Sequence, residues 1–243
     1  MNILEEKVNV DFTSVDPSGK ITLFSVFDLF QKLAIKHAER LGVGRTVMLS
    51  SGRVWLISRV SVLIERRPIL DEDIVIRTWP HGSERLFFMR DYDISTTEGV
   101  RIARGRAGWI VVDIKSRRPL RPSEAGLTLP QNGETETMIE MPAGLSSRDD
   151  LVKTSERKVL YSDIDLNVHV NNARYVQWVQ DIIDPKTLEN ASKMRFDINY
   201  VSEVKCGDTI EFWTMRNSGA TFIEGRKVSD GTAGFRAQLS LDE

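Results

Sequence analysis

One pattern limits the folds open to this chain more than any other: a helix-forming segment followed by strand-forming ones, and then the same order again. In the first copy Leu23, Val26, Phe27, Phe30, Leu33, Ala34, His37, Ala38 and Leu41 recur at three- and four-residue spacing, and Gly42 follows as a stop signal. Segments rich in Val, Ile, Phe and Trp come next, at 54–64, 73–79, 85–94 and 101–114, separated by turn-forming pieces such as Pro80-His81-Gly82. In the second copy Tyr175, Trp178, Val179 and Ile182 share one helical face, and strands are expected at 193–201, 209–216, 220–228 and 233–241. A helix with one face to bury, followed by antiparallel strands, is an α+β unit, and here it is duplicated.

The copies are expected to span 1–117 and 153–243. Between them, at 118–152, the patterning lapses and Pro119, Pro122, Pro130 and Pro142 fall among Gly, Ser and Thr, the composition of a linker. The numbering agrees with a repeat. Setting Asp16 against Asp163 gives 163 − 16 = 147, setting Asp73 against Asp208 gives 208 − 73 = 135, and residues 42–55 have room for the difference of 12. On that alignment Thr22 stands opposite His169 and Ser18 opposite Asp165, so the first copy reads as chemically blank.

Composition removes several classes of function. A net charge of −2 gives no overall attraction to nucleic acid or to an anionic membrane. Unbroken aliphatic and aromatic runs reach only four residues, as at 109–112, too few for a membrane span. The start, MNILEEKVNV, lacks both the basic, apolar pattern of a secretory signal and the Arg- and Ser-rich pattern of a transit peptide, so a cytoplasmic protein is expected. A single cysteine, Cys206, excludes an internal disulfide, and three scattered histidines argue against a Cys/His metal site. No metal or cofactor is expected.

Chemistry concentrates ahead of the second helix. Asp165, Asn167 and His169 alternate, and in an extended segment residues two apart face one side. The helix N-terminus that follows offers backbone N–H groups, from Val170 and Asn171 to Asn172, to a developing oxyanion. A carboxylate or imidazole to activate water, with donors aimed at the developing charge, suits hydrolysis of an activated acyl compound. The plainer reading is also open at this point: Asx residues before a helix are commonly caps, Asn171 or Asn172 among them. His37, on the apolar helix face, reads as a core residue, and His81 as an exposed turn residue.

The stretch 161–178, YSDIDLNVHVNNARYVQW, resembles the acyl-acyl-carrier-protein thioesterases. The resemblance implies two tandem hotdog units, each an antiparallel sheet wrapped around a helix, forming a pseudo-dimer within one chain. It implies hydrolysis of fatty acyl-carrier-protein thioesters, with the acyl carrier protein as partner. The family's catalytic Asp, Asn and His match Asp165, Asn167 and His169, and a further glutamate matches Glu203, where 203 − 169 = 34. Many plant relatives carry a cysteine directly after that glutamate; here Val204 stands there, which disfavours a Cys–His mechanism. The expected mechanism has Glu203 or Asp165 activating water, His169 sharing the proton traffic, and Asn167 with the helix amides polarising the carbonyl; direct attack by a carboxylate is the alternative. The first unit is expected to supply the acyl pocket, with Phe24, Phe27 and Phe30 as pocket or core residues. Carrier proteins are acidic, so the clusters Arg66-Arg67 and Lys115, Arg117, Arg118, Arg121 are candidate docking sites, Arg117 and Arg118 foremost. An acyl-CoA thioesterase and a non-catalytic acyl-binding hotdog are the competing functions. Monomer and homodimer are both compatible with a chain that already contains two units.

Overall fold

A computed structural model describes residues 2–132, 139–140, 142–217 and 219–242; residues 133–138 and 141 of the expected linker lie outside them. The chain runs β1 (Leu4–Asn9), α1 (Leu23–Arg40), α2 (Arg45–Ser50), β2 (Arg53–Ile64), β3 (Asp73–Glu84), β4 (Phe87–Thr96), β5 (Arg101–Asp113) and β6 (Pro119–Leu120). It continues with β7 (Val152–Lys158), α3 (Asn172–Ile182), α4 (Pro185–Asn190), β8 (Lys193–Tyr200), β9 (Thr209–Asn217), β10 (Ala220–Lys227) and β11 (Ala233–Asp242).

All the strands join one antiparallel sheet, ordered β1-β3-β4-β5-β2-β8-β11-β10-β9-β7, with β6 beside β5. Outward from the β2–β8 junction the two halves follow the same plan: second strand of the unit, fifth, fourth, third, first. That repeated plan is the double hotdog, and α1 and α3 pack together against one face of the sheet. At the junction Ser61 pairs with Asp197, and the Ser61 hydroxyl donates to the Asp197 carboxylate.

The two longest helices, α1 and α3, start where the sequence supplies a capping side chain. The Thr22 hydroxyl accepts from the Ser25 N–H at 3.0 Å, and the Asn171 side chain accepts from the Ala173 N–H at 2.9 Å. The α1 face carrying Leu23, Val26, Phe27, Phe30, Leu33, Ala34 and His37 is buried. A buried Leu or Phe stabilises by about 1.5–3 kcal/mol each. Phe30 stacks on Tyr92 with ring centroids 4.4 Å apart, and Phe27 packs edge-on against Phe196 of the other unit. Gly105 makes room for Phe30, since a Cβ there would meet its ring at 2.7 Å. Phe27 and Phe30 are core residues, whereas Phe24 is half-buried with the Arg174 guanidinium over its ring.

The caps and strand registers revise the alignment of the repeat. Thr22 corresponds to Asn171, a spacing of 171 − 22 = 149 rather than 147. At the start of β3 the buried residues are Ile74 and Ile76, and at the start of β9 they are Ile210 and Phe212, so the strand spacing is 210 − 74 = 136 rather than 135. A one-residue slip would set buried Ile74 against half-exposed Thr209 and exchange the faces of the strand. The difference, 149 − 136 = 13, falls between the helix start and the following strand, where α1 has 18 residues against 11 in α3.

The chain between the units lies first along one and then along the other: Leu120, Ala125, Leu127 and Leu129 pack with Met48, Phe88 and Val111 of the first unit, and residues 143–147 bond to the second. Asn199 donates to Ala143 O and accepts from the Leu145 N–H, while Ser147 donates to Glu224, a buried carboxylate also held by Arg226 and Arg236.

Candidate active site

Residues 165–169 form a closed turn rather than an extended segment. The Asp165 N–H donates to His169 O at 2.9 Å, the Val168 N–H to Asp165 O at 3.0 Å, and Ile164 bridges Val170. The Asp165 carboxylate accepts from the Asn167 N–H at 2.8 Å. Closing this turn puts Val168 at φ 65°. That conformation is unfavourable for a β-branched residue.

One backbone bond carries the turn to its partner. The Val170 N–H donates to Val204 O at 2.9 Å, so the residue after His169 is tied to the residue after Glu203. The result is a contact of 3.1 Å between His169 Nε2 and Glu203 Oε2. Their side chains are 31% and 45% exposed, and an ion pair that open contributes little stability by itself. The backbone, more than mutual attraction, holds the two groups together.

Asp165 lies close by: its charge and that of Glu203 both act on the Tyr175 hydroxyl. Burial pushes the Tyr175 phenol far up, the negative charges of Asp165 and Asp208 push it further, a backbone hydrogen bond with Val204 opposes them, and Glu203 adds to the rise. Tyr175 is therefore a neutral, buried hydroxyl at the floor of the site, its ring packed by Trp178, Tyr200 and Phe235. Tyr200 donates to Asn172 O at 3.0 Å. Asn167 is exposed, and its side chain makes no hydrogen bond among the described residues.

The amides of Val170 and Asn171, expected as oxyanion donors, are engaged. The first holds Val204 and the second donates to Asp163 O at 2.9 Å, so the bonds that build the site use both of them. Among the described residues, the Asn172 N–H at the start of α3 has no such acceptor.

Sequence reading missed Tyr175 as a site residue, seeing only its place on a helical face. It also missed the open depression beside that site. Glu203, Lys205, Asp208, Lys227 and Ser229 line an open depression of about 440 Å³, and Lys227 Nζ donates to Glu203 O at 3.3 Å. Cys206 is exposed, and Val204, two residues before it, is buried. Among the described residues no group of three His, Cys, Asp or Glu side chains is placed to hold a metal ion.

The first unit contains the same turn at residues 16–20. The Asp16 N–H donates to Lys20 O, the Gly19 N–H to Asp16 O, the Asp16 carboxylate accepts from the Ser18 N–H, and Val15 bridges Ile21. At a spacing of 149, Asp16 matches Asp165, Ser18 matches Asn167 and Lys20 matches His169. At 136, Arg67 matches Glu203. Thr22 and Ser18 are thus not the counterparts of His169 and Asp165. Arg67 is buried and donates to the Asp16 carboxylate, Ile21 O, Lys20 O and Leu188 O, and Lys20 Nζ donates to Glu189 O. Arg67 thereby fills the space, and the C-terminal turn of α4 covers it.

Arg67 is for that reason no docking residue, and Arg66 pairs with Glu72. His81 is not an exposed turn residue either: it lies in β3 beside the Pro80/Gly82 bulge, with Nδ1 3.0 Å from the buried Asp91 carboxylate. His37 is buried with Nδ1 3.1 Å from Arg90. Arg117 and Arg118 are exposed in the turn after β5. Arg59 of β2 pairs with Asn199, and Arg53 at the start of β2 pairs with Asp113, so this turn projects from the end of the sheet at which β8 leads to Glu203.

Models of two family domains match the chain: acyl-ACP thioesterase N-terminal domain over residues 2–125, and acyl-ACP thioesterase C-terminal domain over 146–238. An acyl-[acyl-carrier-protein] hydrolase FATB2, chloroplastic, of Cuphea viscosissima is 27% identical over 75% of this chain and 47% of its own length. Oleoyl-acyl carrier protein thioesterase 1, chloroplastic, of Arabidopsis thaliana is 22% identical over 95% and 68%. The chain spans about half the length of several of the curated relatives it matches. Among solved structures, an acyl-ACP thioesterase from Bacteroides thetaiotaomicron superposes with a TM-score of 0.89 at 22% identity, covering 99% of this chain and 98% of that one. The 12:0-ACP thioesterase from Umbellularia californica gives 0.80 at 18%, covering 99% and 97%; both likenesses concern the fold.

Proposed function

We propose, from the fact that the chain belongs to the acyl-ACP thioesterase family, that it hydrolyses fatty acyl-carrier-protein thioesters to free fatty acid and carrier thiol. The observation that carries the reading is the contact between His169 Nε2 and Glu203 Oε2 beside the Asp165 turn, present in the second unit alone. The Glu203 carboxylate takes a proton from water as the water oxygen bonds to the thioester carbon. The Asn172 amide and the Asn167 side chain receive the negative charge on the carbonyl oxygen. As the carbon–sulfur bond breaks, a proton returns through His169 to the departing sulfur. Asp165 holds the turn that presents Asn167 and His169. Losing one oxyanion donor costs about 10²–10³ in rate.

The first unit, residues 1–117, would face the acyl chain, the second, 153–243, would carry the chemistry, and 118–152 would join them. No helix among the described residues is long and apolar enough to cross a membrane. A cytoplasmic setting and a monomer or homodimer complete the proposal, checked by cell fractionation and by light scattering.

The deciding experiment is a hydrolysis panel with acyl-carrier-protein and acyl-CoA substrates over a range of chain lengths. Release from the carrier-protein substrates is expected. Release from acyl-CoA alone would move the assignment to a CoA thioesterase, and no release from any would leave an acyl-binding protein.

A further inference from the structure

The turn that carries Asp165, Asn167 and His169 also displays two apolar side chains to solvent, Leu166 at 76% exposure and Val168 at 70%. Neither contributes a buried contact that would offset the left-handed backbone at Val168. The first unit builds the same turn without this display, having Pro17 and Gly19 at the matching positions. Tyr161, 89% exposed, makes no such distinction, because its counterpart Phe12 is 81% exposed. Val168 directly precedes His169, whose partner Glu203 lines the depression with Lys205 and Lys227, and exposed Arg117 and Arg118 lie at the same end of the sheet.

We infer that Leu166 and Val168 form an apolar lip at the mouth of the site, and that with Lys205 it docks the acyl carrier protein. This rests on the thioesterase reading. The occupant is chosen by complementarity: an acidic protein that must thread an acyl thioester to Glu203 meets an apolar contact rimmed by lysine ammonium groups. Apolar contact at the centre and opposite charge at the rim is the usual anatomy of such an interface. The unfavourable backbone at Val168 then has a use, since it aims a side chain at a partner.

The test transplants the first unit's residues. Leu166→Pro with Val168→Gly is compatible with the turn, because Pro17 and Gly19 occupy the same backbone path. Lys205→Glu reverses the rim charge. Hydrolysis is measured with the best acyl group of the panel, once on the carrier protein and once on pantetheine. The expected result is a KM for the carrier substrate raised about tenfold by either change, with pantetheine thioester turnover within about twofold of the parent. Equal losses on both substrates, or none on the carrier substrate, would overturn the inference. Binding of holo carrier protein without an acyl group, followed by calorimetry, separates this inference from the function it rests on. Weakened binding in the variants supports the lip even if no thioester is cleaved, and unchanged binding refutes it.

Discussion

The turns at 16–20 and 165–169 share their backbone hydrogen bonds, their bridges and their place ahead of a capped helix, yet they do opposite things. In the second, a histidine and a glutamate face each other in reach of solvent. In the first, Arg67 drives into the same space, binds Asp16 and three carbonyl oxygens, and is covered by α4. The scaffold alone therefore does not make a site. Two side-chain identities decide between an open turn and a sealed one, and only the open copy carries an unfavourable φ at a non-glycine residue within the turn.

The comparison breaks most sharply at Glu203 and His169. Glu203→Ala and His169→Ala should each reduce thioester turnover by about 10²–10⁴-fold, with urea midpoints close to the parent's, because the pair is half-exposed. Near-normal hydrolysis by Glu203→Ala would remove it from the mechanism. The matching change in the first unit should act the other way. Arg67→Met leaves the Asp16 carboxylate without its buried partner and should cost about 3–5 kcal/mol in urea unfolding, while the protein that remains folded keeps its kcat/KM.

The same ion pair sets an acid limb. Burial works against the ionised Asp16 carboxyl, but hydrogen bonds from Ser18 and Arg67 and the Arg67 charge outweigh it and hold the group below its ordinary 3.8. A carboxyl depressed in the folded state contributes stability above its unfolded value, and that contribution is lost as pH falls through the folded one. Asp16→Asn should therefore be less stable at neutral pH, by about 1–2 kcal/mol, and lose less stability than the parent below pH 3.8, followed by thermal unfolding against pH.

The smallest effects isolate the backbone. A Cβ at Gly19 would meet nothing within 4 Å, so Gly19→Val tests conformation alone and should destabilise by about 1–3 kcal/mol. Val168→Gly should stabilise by no more than about 1 kcal/mol, since relief at φ 65° is partly offset by the freedom glycine gains when unfolded. A Val168→Gly protein less stable than the parent would show that the turn is not strained.

Much of this was legible in the residues. The α1 stripe and the strands rich in Val, Ile and Phe were readable because they bury one face. β1 and β7 escaped because they are the outermost strands, with charged sequences such as LEEKVN and few buried side chains. The alternation of Asp165, Asn167 and His169 was read on a wrong premise: the segment is a turn closed by its own backbone bonds, not an extended stretch with one shared face. The meeting of His169 with Glu203 followed from the family resemblance; physically it depends on the bond from Val170 to Val204, across 34 residues, which no local pattern reveals. Spacings of 147 and 135 missed by 2 and 1 because aspartates were matched by letter, whereas caps and buried faces fix the correspondence at 149 and 136.

The junction of β2 with β8 has a consequence for how such a chain can change. Were the two units separate copies of one polypeptide, any replacement would occur on both sides of that junction, and an arginine at the Glu203 position would seal every opening in the assembly. Because the junction lies within a single chain, each unit accepts substitutions the other does not share. The plugged copy is free to become a wall, and the open one to keep its histidine.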